Sequence, residues 1–471
     1  MKEKHTMETK SVWDSYSKAE ESKVFAFAEG YKSFLSDCKT ERECTTYFKN
    51  EAKKQGYIDF EDVKKKKGKL KAGDKVFFVN MNKSIILFNI GKESLENGLN
   101  ILGAHIDSPR LDAKQNPLYE KNGFAYFDTH YYGGIKKYQW VTIPLAIHGV
   151  VVKKDGTVIE ITIGEKESDP VFFVSDLLIH LAQEQMEKKA SKVIEGEALD
   201  IIVGNKPVKI NKKDADKKAD PVKEGILEII KKQYKFEDED FMSAELEIVP
   251  AGKARDAGFD KSMILAYGHD DKVCSYPSFE AIVNTEKVER TACCILVDKE
   301  EIGSVGATGM RSRFFENSVA ELMSACGEYS DIALRRCLAN SFMLSSDVSS
   351  AFDPSFASSF DQKNVAFLGH GMDFCKFTGS RGKSGSNDAN AEYIAKIRKI
   401  MEGNKVSMQM SELGKVDLGG GGTIAYILAL YGMNVIDCGV PVLNMHAPYE
   451  AISKADLYEA YKGYSAFLRE A

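Results

Sequence analysis

Histidine and carboxylate side chains follow several short apolar runs of this sequence, at points where buried strands are expected to end. They form a set of eight residues: His105, Asp107, Asp270, Asp271, Glu300, Glu301, Asp347 and His446. Imidazole nitrogens and carboxylate oxygens are ligands of zinc and other divalent ions. A single Asp after a strand is more often the N-cap of the next helix. Because capping does not explain so many members at successive strand ends, the set predicts a metal site.

The spacing within two pairs of this set indicates separate roles for close neighbours. The one-residue gap between His105 and Asp107 lets the Asp107 carboxylate accept a hydrogen bond from the ring nitrogen that faces away from the metal. Glu300 and Glu301 are adjacent, and neighbouring side chains of an extended chain point to opposite sides. We therefore expect one of these two carboxylates to bind metal and the other to act as a general base.

The elements that must position these residues are short buried strands that alternate with helices. Apolar runs such as "TACCILV", "SFMLSS" and "NVIDCG" are separated by stretches with a helical pattern. This alternation predicts an α/β fold with a doubly wound, mainly parallel sheet, whose ligand-binding groups lie at the carboxyl ends of the strands. Two helices are expected between Ser22 and Gln55, the second opened by a capping box of Thr40 and Glu43.

The alternation of strands and helices is interrupted between residues 112 and 252. The run "IPLAIHGVVVKKDGTVIEITIG" has the pattern of a hairpin that turns at Asp155-Gly156. The following run, "DLLIHLAQEQMEKKA" (176–190), has a helical pattern. We therefore predict a discontinuous main domain, residues 1–111 and 253–471, with an inserted β-rich domain at 112–252.

Length and composition exclude several classes of protein. The chain has 471 residues, enough for two domains, and its net charge of −6 gives no general attraction to nucleic acid or to an anionic membrane. The basic stretch Lys64–Lys71 is interpreted as a solvated loop, because no aromatic residues that stack on bases are interleaved. No signal peptide or membrane span is predicted. Nine scattered cysteines are typical of a reducing compartment, so we expect a cytoplasmic protein. From the net charge and the lack of a predicted membrane span, we expect no nucleic-acid or membrane partners.

Six motifs follow one another along the chain, with an insertion after the first. They are "GAHIDSPRLD", "DDKVCSYPSFEAI", "DKEEIGSVGATG", "SSD", "DLGGGGTIA" and "NMHAPYE". In this order they closely resemble the aspartyl aminopeptidase and vacuolar aminopeptidase I family of dinuclear zinc exopeptidases, over nearly the whole chain. The resemblance implies a bacterial-type aminopeptidase that hydrolyses the N-terminal residue from peptides with a water bridged by two zinc ions.

The resemblance also implies a role for most members of the histidine and carboxylate set. Its five zinc ligands would be His105 and Asp347 on one ion, Glu301 and His446 on the other, and Asp270 bridging the two. Asp271 is the alternative to Asp270 as the bridging ligand. Glu300 would be the general base, and Asp107 is counted with it as catalytic through its hydrogen bond to His105. Mn²⁺ or Co²⁺ are the alternatives to Zn²⁺.

Two further residues are expected to contact substrate. The family places a histidine of the segment around His180 in the active site of a neighbouring subunit, and the alternative for His180 is a side chain packed on a helix. Lys376 resembles a family lysine near the specificity pocket, where it would meet a substrate carboxylate. Eukaryotic members have histidines after the "SSD" motif, whereas this chain has Ser349, Ser350 and Asp353. Both acidic and neutral N-terminal residues are therefore candidate substrates.

The resemblance implies a homo-oligomer, a tetrahedral dodecamer built from dimers, with the inserted domain as its dimerisation domain. Two other functions compete with the aminopeptidase: a metal-dependent deacylase or carboxypeptidase of the same fold, and a non-catalytic self-assembling particle protein. The first needs a basic residue placed for the C-terminal carboxylate of its substrate. The second is disfavoured because the whole set of ligands and the base Glu300 are present.

Overall fold

The computed structural model describes residues 10–209 and 220–471, and their strands fall into three sheets. In chain order these strands are β1 (Ile58–Asp59), β2 (Lys75–Asn80), β3 (Ser84–Asn89), β4 (Asn100–His105), β5 (Arg110–Lys121), β6 (Phe124–Tyr132), β7 (Leu145–Val152), β8 (Val158–Ile163), β9 (Ile201–Gly204), β10 (Ala244–Pro250), β11 (Arg255–Ala257), β12 (Met263–Ala266), β13 (Ala292–Val297), β14 (Phe342–Ser346), β15 (Ser349–Ser350), β16 (Met372–Cys375), β17 (Met408–Ser411), β18 (Asn434–Gly439), β19 (Pro441–Leu443) and β20 (Glu450–Ser453).

The α-helices are distributed along the whole chain. In chain order the described ones are α1 (Lys18–Asp37), α2 (Glu41–Lys54), α3 (Phe60–Lys65), α4 (Gln183–Met186), α5 (Ala190–Val193), α6 (Pro221–Ile229), α7 (His269–Val283), α8 (Phe314–Cys326), α9 (Asp331–Ala339), α10 (Ala391–Gly403), α11 (Ala425–Ala429) and α12 (Lys454–Glu470). Across residues 10–209 and 220–471, no helix is long and apolar enough to cross a membrane.

The largest sheet has nine strands in the order β1-β2-β3-β13-β4-β14-β18-β16-β17. Its central strands β13, β4, β14 and β18 are parallel to one another, whereas β2, β3 and β16 form antiparallel pairs within the same sheet. The predicted α/β class with a mainly parallel sheet is therefore confirmed.

Alternating side chains of the central strands explain why helices cover both faces of this sheet. In β3, Ile85 and Leu87 belong to one buried cluster together with residues of α1, α2, α7, α10 and α12. Ile86 and Phe88 belong to a second cluster, which includes residues of α3, α8, α9 and α11. Because both faces are covered, β3, β4 and β13 are buried along their whole length and have continuous apolar sequences.

The chain divides into two compact units. The main unit comprises the described residues up to Asp107, Ala254–Met445 and Glu450–Ala471, and it holds the nine-stranded sheet and the five-stranded sheet β11-β12-β20-β19-β15. The inserted unit comprises the described part of Ser108–Lys253 together with His446–Tyr449. Its six strands, in the order β8-β7-β10-β5-β6-β9, are all antiparallel to their neighbours. The sequence did not indicate that a short C-terminal segment belongs with this unit.

Two local predictions are confirmed in atomic detail. The Thr40 hydroxyl accepts the N–H of Glu43, and the Glu43 carboxylate accepts the N–H of Thr40, which forms the capping box at the start of α2. Strands β7 and β8 form the predicted hairpin, and the Asp155 carboxylate accepts the N–H of Thr157 in its turn at 2.9 Å. Short polar side chains thus fix the ends of these elements through backbone hydrogen bonds.

Two other local predictions are wrong. Residues 176–190 do not form one helix, since they contain a 3-10 turn at Ile179–Leu181 and the four-residue helix α4. Leu178 is 54% exposed and Ile179 is 70% exposed, so the apolar face of the expected helix is not buried in the single chain, and packing of that face is what stabilises a helix. The basic stretch is also not entirely a loop, because Lys64 and Lys65 end α3.

Candidate metal centre

His105 is the last residue of β4, and its imidazole lies against two carboxylates. Its Nε2 atom is 3.1 Å from Asp270 Oδ1 and 3.7 Å from Asp347 Oδ1. One ligand atom of each of these three side chains lies within 4.8 Å of the other two. An imidazole and two carboxylates at this spacing suit a divalent ion.

A second group of ligand atoms consists of Asp270, Glu301 and His446, again within 4.8 Å of one another. Asp270 therefore belongs to both groups. Each of the two groups has the residue types and spacing to hold a metal ion. The donor set, two imidazoles and three carboxylates in all, fits the ligand chemistry of zinc.

Asp270 and Asp271 lie at the N-terminal end of α7. The sequence pattern instead predicts that they lie at the end of a strand of the large sheet. The N–H of Asp270 donates to Glu450 Oε2 at 3.0 Å. Asp271 Oδ2 instead accepts the N–H of His105 at 3.4 Å, and Asp271 is in neither ligand group. Sequence reasoning did not single out Glu450, although this residue ends the "NMHAPYE" motif.

Glu300 and Glu301 do not continue the extended strand β13, so the premise of the predicted opposite orientation is wrong. Lys299 has a left-handed backbone with φ of 70°, and a 3-10 turn follows at Glu300–Ile302. The Asp107 carboxylate holds this turn, because Oδ1 accepts the N–H of Glu300 and Oδ2 accepts that of Glu301, each at 3.2 Å. Of the two glutamates, only Glu301 belongs to a ligand group.

Asp107 also faces the imidazole of His105. The Nδ1 atom of His105 is 3.1 Å from the Asp107 carbonyl oxygen and 3.3 Å from Asp107 Oδ1. When Nε2 serves as a metal ligand, Nδ1 keeps its proton and donates it to these oxygens, which orients the ring. One buried carboxylate therefore contacts both the first ligand histidine and the turn that carries the two glutamates.

The pKa values of the buried groups reflect the concentrated negative charge of this site. Burial, with a further contribution from Asp347, raises the pKa of Glu300 to about 8. Burial disfavours the charged His105 imidazolium, but hydrogen bonds to Asp107, Asp270 and Asp347 outweigh it and raise the His105 pKa well above its usual range. Negative charge that retains protons in this way also favours a cation, which would in turn favour the ionised carboxylates.

A second buried carboxylate supports the start of the glutamate turn. Asp298 Oδ2 accepts the hydroxyl hydrogen of Thr308 at 2.6 Å, and Lys299 Nζ lies 3.2 Å from the same oxygen. Burial raises the pKa of Asp298 to about 6. Both residues lie within the "DKEEIGSVGATG" motif, so part of that motif has a supporting role.

Neither expected substrate contact is part of the two ligand groups. His180 is exposed in the 3-10 turn, so it is not packed on a helix in the single chain. Lys376 is half exposed, and its Nζ atom lies 3.9 Å from Asp388 Oδ1. Asp388 also pairs with Lys383 at 3.1 Å. The positive charge of Lys376 is therefore partly compensated by a carboxylate of the same chain.

Comparison with known proteins gives concordant matches over nearly the whole length of the chain. Residues 34–468 match the Peptidase M18 family, described as aminopeptidase I zinc metalloprotease. The probable M18 family aminopeptidase 1 of Clostridium acetobutylicum is 59% identical over 461 residues, which cover 98% of each chain. The crystal structure of an M18 aminopeptidase from Thermotoga maritima has a TM-score of 0.93 at 42% identity, covering 99% of this chain and 100% of that one. The structure of the S. cerevisiae mApe1 dodecamer, at 20% identity and a TM-score of 0.74 over 93% of this chain and 95% of that one, shares the fold.

Proposed function

Since the chain belongs to the M18 family of aminopeptidase I zinc metalloproteases, we propose that it removes the N-terminal residue of peptides with two zinc ions and a glutamate base. Family membership makes it a zinc aminopeptidase, which is a hydrolase. The proposal of two zinc ions is supported by Asp270, which belongs to both ligand groups. A shared carboxylate supports two cations that act on the same bond.

Each proposed zinc ion has two ligands of its own and shares a third. His105 and Asp347 would hold one ion, Glu301 and His446 would hold the other, and Asp270 would bridge them. When bound, zinc supplies the Lewis acidity that polarises the scissile carbonyl and acidifies the attacking water. Mn²⁺ and Co²⁺ accept the same types of ligand and are the proposed substitutes.

Glu300 is the proposed general base. Its carboxylate lies outside both ligand groups, and burial gives it a pKa of about 8, near the range in which a group both accepts and releases a proton. Bound cations would lower this value by favouring the carboxylate form. Glu300 would take the proton of the attacking water and deliver it to the leaving amine. Asp107 would act as a positioning residue, because it holds the N–H of Glu300 and faces the His105 ring.

The proposed substrates are peptides with an acidic or a neutral N-terminal residue. Lys376 is the proposed contact for an acidic side chain, and His180 is the proposed contact from a neighbouring subunit. The carboxylate of Asp388, 3.9 Å from Lys376 Nζ, offsets part of the charge that an acidic side chain would meet. This ion pair favours neutral residues over acidic ones.

We also propose a homo-oligomer, a tetrahedral dodecamer built from dimers through the inserted unit. The apolar stretch Leu177–Leu181 of this unit supports the proposal, because Ile179 and Leu181 are 70% and 68% exposed. A contiguous exposed apolar surface is typical of an interaction site. The S. cerevisiae mApe1 structure that shares this fold is a dodecamer. The proposed location is the cytoplasm, where the nine cysteine thiols would stay reduced.

A panel of aminoacyl-p-nitroanilides tests this function. The zinc-loaded protein is expected to release p-nitroaniline from acidic or neutral aminoacyl derivatives and to leave their N-acetylated counterparts intact, because an aminopeptidase requires a free α-amino group. Release of acetate from the N-acetylated compounds would instead favour the deacylase alternative. Failure to release any N-terminal residue with Zn²⁺, Mn²⁺ or Co²⁺ would refute the aminopeptidase proposal.

A further inference from the structure

The imidazole of His446 is held by a backbone carbonyl group. Its Nδ1 atom lies 2.8 Å from the carbonyl oxygen of Gly134. Because a carbonyl oxygen only accepts, Nδ1 is the donor, and Nε2 is the ring nitrogen that would bind the cation in the proposed function. Gly134 and His446 both belong to the inserted unit, as does strand β6.

The backbone around His446 depends on such contacts. Asn444 and His446 both have left-handed conformations, with φ of 63° and 64°. A residue other than glycine loses about 1–2 kcal/mol in this region, so the conformation persists only where the surroundings hold it. The hydrogen bond to Gly134 is one contact that holds the ring in place.

A side chain at residue 134 would meet the imidazole ring of His446. A Cβ atom at Gly134 would lie 3.4 Å from His446 Nδ1 and 3.8 Å from Cε1, which is ordinary van der Waals contact. The φ of Gly134 is not in the left-handed region, so its backbone accepts other residues. A methyl group at this position therefore just touches the imidazole, whereas a branched side chain competes with it for space.

The strand that leads to Gly134 is itself anchored. Tyr132 is the last residue of β6 and pairs with Arg110 of β5. The Arg110 guanidinium lies 3.9 Å from the centre of the Tyr132 ring, and Arg110 Nε lies 3.1 Å from Glu247 Oε2. All three side chains are buried, so cation–π and ionic contacts fix the end of β6 just before Gly134.

We propose that the end of β6 and the Gly134 carbonyl form a positioning element for one of the two metal ions, by presenting Nε2 of His446 to it. This inference rests on the proposed function, in which His446 is a zinc ligand. Gly134 and Tyr132 are positioning residues, since they act through the imidazole. Removal of such an outer contact typically weakens metal binding about 10- to 100-fold.

The test measures zinc release from purified full-length protein into a chromogenic chelator, for the wild type, Gly134→Val and Gly134→Ala. The valine variant is expected to release one zinc about 10- to 100-fold faster than wild type while the second zinc is released at the normal rate. The alanine variant is expected to resemble wild type. Gly403→Val is the matched control, because a Cβ atom at Gly403 meets nothing within 4 Å.

Equal release from wild type and Gly134→Val, or equally faster release of both ions, would overturn the inference. If the valine variant does not fold, Tyr132→Leu replaces it and Tyr132→Phe, which keeps the ring under Arg110, replaces the alanine variant, with the same criteria. A wild-type protein that binds fewer than two zinc ions would instead contradict the proposed function. The two failures are therefore distinguished by the wild-type measurement alone.

Discussion

Replacing Asp107 by Asn should reduce turnover while the protein stays folded and keeps its affinity for substrate. The two carboxylate oxygens of Asp107 accept the N–H groups of Glu300 and Glu301 at 3.2 Å, and the side chain is buried. Asn keeps one acceptor and places an amide NH₂ against the other backbone N–H. The loss of one hydrogen bond to a charged acceptor costs about 1.5–3 kcal/mol. If this energy positions the base in the transition state, kcat falls about 10- to 150-fold.

The assay compares kcat and KM of the zinc-loaded Asp107→Asn variant with wild type, on the best aminoacyl-p-nitroanilide. KM should stay near the wild-type value, because in this account Asp107 does not touch the substrate. Asp155→Asn is the matched control, since the Asp155 carboxylate also accepts a backbone N–H but lies in the turn between β7 and β8. A variant with wild-type kcat would refute the positioning role of Asp107, and a rise in KM alone would assign it to substrate binding.

Three further perturbations test separate parts of the account. Thr308→Val removes the hydroxyl that donates to Asp298 and leaves a buried carboxylate oxygen with one donor fewer. The free energy of unfolding in urea should therefore fall by about 1–3 kcal/mol, and a variant as stable as wild type would contradict this. Burial raises the pKa of Asp437 to about 7, so the stability that this side chain contributes is complete below its unfolded pKa of about 3.9 and is lost as the pH rises to about 7. The Asp437→Asn variant should lack this decrease in the free energy of unfolding, measured against pH in the presence of a chelator. A pH profile equal to that of wild type would contradict the prediction. Ile179→Glu should yield smaller species in light scattering, whereas Leu430→Glu, at a leucine of the main unit that is 81% exposed, should not; equal effects would argue against assembly through the inserted unit.

The sequence predicted the fold class well because the relevant signals are local. The continuous apolar sequences of β4 and β13 follow from burial on both faces, and the capping box at Thr40 needs only residues within one turn. The apolar segment 176–190 was wrongly predicted as a helix. Helical periodicity does not reveal whether the apolar face of a segment is packed against other residues, and Ile179 is exposed in the single chain.

Within the candidate site, residue types were predictable and their geometry was not. The sequence motifs contain all five proposed ligands, which lie in two groups that share Asp270. The left-handed Lys299 and the turn after it were missed, because a lysine carries no local signal for that conformation. The contact between His446 and Gly134 joins positions 312 residues apart, and neither residue type predicts such a contact.

The division of labour between the two adjacent glutamates is the central claim, and zinc content measured together with turnover tests it directly. Glu300→Gln should retain two zinc ions per chain and lose turnover, because the ligands are intact and the base is absent. Glu301→Gln should lose one zinc ion, because an amide is a poorer ligand than a carboxylate. Wild-type turnover in Glu300→Gln, or full zinc retention in Glu301→Gln, would contradict the account.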